Sequence, residues 1–71
     1  MRETYYVCVY RFEDKELRFI KETEIQTIYD LDIGKGFWVN EDFEYTKLSD
    51  NVFWIPTSQV LCVKKKTREI L

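Results

Sequence analysis

The chain contains no histidine and no alanine, one proline and two glycines. Without histidine the commonest general base is missing, and so is the usual member of a catalytic triad. Without alanine the best helix former is missing, while Ile, Tyr and Phe are plentiful. That balance predicts a β-rich chain. The two cysteines, Cys8 and Cys62, form no C-x-x-C pair. A metal site is therefore not expected, and no cofactor is implied. No run approaches the roughly 18 apolar residues of a membrane span, and no apolar stretch follows a basic start. These features read as a cytoplasmic protein with reduced thiols and no membrane partner.

What is present bounds the rest. Seventy-one residues make a single domain, 1–71. A chain this short buries only about 60% of its unfolded surface, so its core is marginal. The composition is 45% hydrophobic and 17% aromatic, which is that of a folding chain rather than a disordered one. Two tryptophans, five tyrosines and five phenylalanines are many rings for so small an interior. Some are expected at the surface, where a cluster marks an interface. The net charge of −2 weighs against non-specific nucleic-acid or membrane binding. The usage also suits an AT-rich genome, such as that of a Gram-positive bacterium or its phage.

Residues 4–12 form a strand, with Tyr5, Val7 and Val9 on one side and Tyr6, Cys8, Tyr10 and Phe12 on the other. Both sides are apolar, which predicts a central strand with its outer face covered. A polar break of about three residues leads to an alternating strand over 16–22. Residues 23–33 fit either a helical turn or a strand. Gly34 and Gly36 suit a tight turn. Short strands follow over 37–39, 43–48 and 52–55. Pro56 cannot occupy a central ladder, and Thr57 and Ser58 favour a turn before a last strand from Val60 to about Lys64. Residues 65–71 read as a mobile charged tail. The fold class is all-β: a small barrel or a strongly bent antiparallel meander. It has five to six short strands and at most one short helical turn.

The run Ile55-Pro56-Thr57-Ser58-Gln59-Val60-Leu61-Cys62-Val63 resembles the end of SH3-like barrels. There a strand reaches a proline, passes through one 3-10 turn and continues as the last strand. The resemblance implies that the last strand pairs with the first, over residues 5–10. Gln59 stands where peptide-binding SH3 domains carry a tyrosine, and their N-terminal Ala-Leu-Tyr-Asp-Tyr signature is absent. Proline-rich peptide binding is therefore not carried over.

The chemistry inventory is poor. Cys8 and Cys62 sit in apolar strand patterns, where cysteine behaves as a small hydrophobe. The carboxylate pairs Asp30 with Asp32, Glu41 with Asp42 and Glu13 with Asp14 fall in turns, where they satisfy backbone. No enzyme is expected. Adjacent rings, such as Phe37 and Trp38 or Phe53 and Trp54, must point to opposite faces of a strand. One of each pair is core, and the other is outside. Trp38, Trp54, Tyr6, Tyr10, Tyr29, Tyr45 and Phe53 are the candidates for a protein-binding surface. Lys64, Lys65, Lys66 and Arg68 form the basic cluster. With surface rings they could grip single-stranded nucleic acid, or they could block edge pairing. The first expectation is a non-enzymatic protein-binding module, accessory or inhibitory to a larger host protein and of phage or prophage origin. Self-association as a homodimer or higher oligomer is its variant, and a nucleic-acid-binding barrel is the alternative.

Overall fold

The computed structural model describes residues 1–25, 35–46 and 51–71. Five strands are formed: β1 (Arg2–Glu13), β2 (Arg18–Ile25), β3 (Gly36–Val39), β4 (Phe53–Pro56) and β5 (Val60–Glu69). All pairing is antiparallel. One sheet has the order β2-β1-β5, and the second pairs β3 with β4. Neither sheet is closed among the described residues. The choice between a helical turn and a strand over 23–33 falls mostly outside the described residues, as does Tyr29, although Thr23 to Ile25 complete β2.

β1 is central because both of its faces are apolar. Cys8, Tyr10 and Phe12 point inward and meet Ile25 of β2, Phe37 and Val39 of β3, and Ile55 of β4. Each Val, Ile or Phe among them, once buried, contributes roughly 1.5–3 kcal/mol from apolar area alone. The second sheet covers this inner face by its own alternation, with Phe37, Val39 and Ile55 buried. Tyr6, Phe19, Phe43, Tyr45, Phe53 and Val60 pack around the edge of the cluster.

The outer face is covered differently. Val7 and Val9 are each only 9% exposed, yet among the described residues no second layer of strands lies on them. The register sets Val7 between Glu24 and Lys64, and Val9 between Glu22 and Cys62. Charged side chains from the flanking strands bridge across β1. Lys64 reaches Glu22 at 3.4 Å, and Arg68 reaches Glu24 at 2.7 Å and Glu3 at 2.8 Å. The Arg68 guanidinium also lies 4.2 Å from the Tyr5 ring centroid. Long aliphatic stems thus shelter the valines while their charged ends meet in water.

Three boundaries differ from the sequence reading. The β1–β2 loop has four residues, closed by the Asp14 N–H donating to the Leu17 carbonyl at 2.8 Å. The strand expected over 43–48 is reduced to a single bridge between Tyr45 and Val39 among the described residues. Phe43 adopts φ 64°, which breaks an extended run. The charged stretch read as a tail over 65–71 is β5 itself as far as Glu69, paired with β1 down to Arg2. Cross-strand ion pairs explain why so charged a run stays extended.

The final strand does pair with the first, over a longer stretch than expected. The chain reaches it through a 3-10 turn at Thr57–Gln59, entered from Pro56 at φ −69°. Pro56 ends β4 opposite Gly36, at the limit of a two-stranded ladder.

Candidate protein-binding surface

β3 and β4 place two tryptophans on one outward face. Because side chains alternate along a strand, burying Phe37 and Ile55 turns Trp38 and Trp54 the other way. The two are directly opposite in the register. Their rings meet edge to face, with centroids 5.3 Å apart and planes at 63°. They remain 45% and 42% exposed. Among the described rings they alone fall in the exposed class.

Gly36 lets this pair settle against the backbone. Its φ is 138°, and a Cβ there would lie 2.2 Å from the Ile55 carbonyl oxygen and 2.8 Å from the Trp54 ring. Only glycine fits under that ring. The result is an open cleft of about 340 Å³, bounded by Gly36, Phe37, Trp38, Tyr45, Thr46, Asn51 and Trp54. Tyr45 is positioned by its N–H, which donates to Thr23 Oγ1 at 2.7 Å.

The structure divides the seven candidate rings. Trp38, Trp54 and Tyr45 are brought together at the cleft. Tyr10 is not a surface residue. It is fully buried and its hydroxyl donates to the Phe43 carbonyl at 2.6 Å. Phe53 belongs to the edge of the core, stacked on Phe43 with centroids 4.8 Å apart and planes 5° from parallel. Tyr6 also packs against the core. Tyr29 lies outside the described residues.

The residue that the sequence reading passed over is Phe43. Its turn is built by Asn40, whose Oδ1 accepts from the N–H groups of Asp42 at 2.9 Å and Glu44 at 3.0 Å. That side-chain bonding carries Phe43 into the left-handed region, which a bulky residue rarely occupies. Contacts with Phe12, Phe19 and Phe53 offset the strain. The Asn40-Glu41-Asp42 triplet was the available signal for this turn.

Three of the basic residues, Lys64, Lys66 and Arg68, share one face of β5, and Lys65 points to the other. Lys65 faces the side of Tyr6, and Lys66 the side of Tyr5. Lys64 and Arg68 are engaged with carboxylates. Hydrogen bonds from Glu24 first, and Glu3 second, raise the affinity of the Arg68 guanidinium for its proton. The cysteines lie on opposite faces, with Cys8 buried and Cys62 exposed. Burial, and then proximity to Cys62, pushes the Cys8 thiol up to about 11. A thiol so placed carries little thiolate near neutral pH and is a poor nucleophile.

Compared with protein-family models, with curated proteins and with solved structures, the chain gives no significant match. Among the described residues no helix is long and apolar enough to cross a membrane.

Proposed function

We propose that this chain is a non-enzymatic binding module that engages a partner protein through Trp38 and Trp54. The observation that carries the reading is the half-exposed tryptophan pair beside a cleft, in a chain whose other described rings are mostly turned inward. Tryptophan at a partly desolvated hollow is the residue type that anchors protein interfaces.

We read the architecture as an SH3-like barrel left open between its two sheets. The β1–β5 pairing and the 3-10 turn after Pro56 support that reading. The proposed setting is the cytoplasm, and the proposed role is accessory or inhibitory toward a larger protein. Nucleic acid fits less well, because two of the four candidate cations, Lys64 and Arg68, are already paired with Glu22 and with Glu24 and Glu3.

The test uses Trp38→Ala and Trp54→Ala as immobilised full chains. Both should lose the protein that the wild type retains from a lysate of the source cell, with near-UV spectra showing an intact fold. Undiminished retention by both folded variants would overturn the proposal.

A further inference from the structure

We infer that the segment received by the tryptophan cleft is basic. It is an extended stretch of a partner protein that sets an arginine or lysine beside a side chain docked in the cleft against Trp38 and Trp54. This rests on the reading of the cleft as a docking surface and names what docks there.

Tyr45 is a wall of two hollows. On one side is the cleft of Trp38 and Trp54. On the other is a depression of about 310 Å³ lined by Glu22, Thr23, Glu24, Glu44 and Tyr45. Among the described residues no lysine or arginine lines either hollow. The charge of the depression is only partly balanced. Lys64 binds Glu22, while Arg68 is shared between Glu24 and Glu3. Glu44 is exposed and forms no ion pair among the described residues, and the same is true of Glu41 and Asp42 on the turn before it.

An apolar surface flanked by unbalanced carboxylates selects its occupant by charge. An acidic or phosphorylated segment would meet like charge at every carboxylate. A neutral apolar segment would leave the depression unused. A cation gains twice, from the carboxylates and from the faces of the neighbouring rings. The depression lies along β2, an edge strand of its sheet.

The experiment titrates hexa-arginine, hexa-lysine and hexa-glutamate peptides into the full chain. Tryptophan fluorescence and backbone amide shifts report binding and its place. The basic peptides should bind, shift Tyr45 and both tryptophans, and weaken as salt is raised. Glu44→Gln combined with Glu22→Gln should weaken binding by about tenfold or more, a loss of about 1.4 kcal/mol. Glu69→Gln, at the far end of β5, should leave it unchanged. Glu44→Gln alone, at an exposed unpaired carboxylate, keeps the test valid if the double variant does not fold. The inference is overturned if hexa-glutamate binds as well as hexa-arginine or if neither binds. It is also overturned if the glutamine variants bind as the wild type does. Should the basic peptides fail while Trp38→Ala still abolishes partner retention, the docking surface stands and its basic occupant does not. If Trp38→Ala and Trp54→Ala both leave retention intact, the docking surface itself is lost.

Discussion

At the scale of single residues, two positions carry more than their size suggests. Gly36→Ala must displace the Ile55 carbonyl and the Trp54 ring and also adopt a φ of 138°. We expect a loss of at least roughly 2–3 kcal/mol, read by urea denaturation, and a change in tryptophan fluorescence. Tyr10→Phe removes one oxygen atom and leaves the Phe43 carbonyl without its partner. The cost should be roughly 1–3 kcal/mol, with the aromatic cluster loosened around Phe43. Stability equal to wild type in that variant would show that the hydroxyl does not fasten the turn. Alternation in the sequence separated the two faces of each strand correctly. Trp38 and Trp54 lie outward while Phe37 and Phe53 turn toward the core, as one ring of each pair had to. Alternation could not say which face would be covered. Tyr10 was therefore as eligible for the surface as Tyr45 until the second sheet was in place.

At the scale of elements, β5 departs most from what its sequence suggests. Consecutive lysines read locally as solvated chain, and nothing within residues 64–69 shows what they face. Glu22, the partner of Lys64, and Glu24, the partner of Arg68, stand two strands away across β1, so the pairing becomes visible only with the register. Pro56, in contrast, acts through its own ring, and its turn was legible from its neighbours alone. If the ion pairs organise β5, Arg68→Ala should lower the melting temperature at low salt. The difference from wild type should shrink in about 1 M salt, where the screening length falls to about 3 Å. A difference independent of salt would mean that Arg68 acts through packing on Tyr5 instead. Hydrogen exchange should also show the Lys65 and Lys66 amides opening sooner in the variant.

At the scale of the whole molecule, two buried acids govern alkaline stability. Burial raises the proton affinity of Cys8 and Tyr10, and each is raised further by a neighbouring thiol. The unfolded chain releases the Cys8 proton near pH 9 and the folded chain near pH 11. Above pH 9 the unfolded state therefore binds fewer protons, and stability falls as pH rises. The contribution is fully present below pH 9 and declines by at most about 1.4 kcal/mol per pH unit for each group. Urea melts from pH 7 to pH 11 should show this decline, and Cys8→Ala should make it shallower. A profile flat to pH 11 would contradict the burial of both groups.

The union of β1 with β5 has a consequence in time. Arg2 and Glu69, 67 positions apart, lie side by side. A ribosome makes β1 before β5, so until the later strand emerges β1 has one sticky flank and no mate for it. The nascent chain can close its first hairpin, but this sheet waits for translation to reach the far strand. Folding governed by such distant encounters is slow by nature. In the cell, that interval is when a stray strand or a chaperone would find this protein.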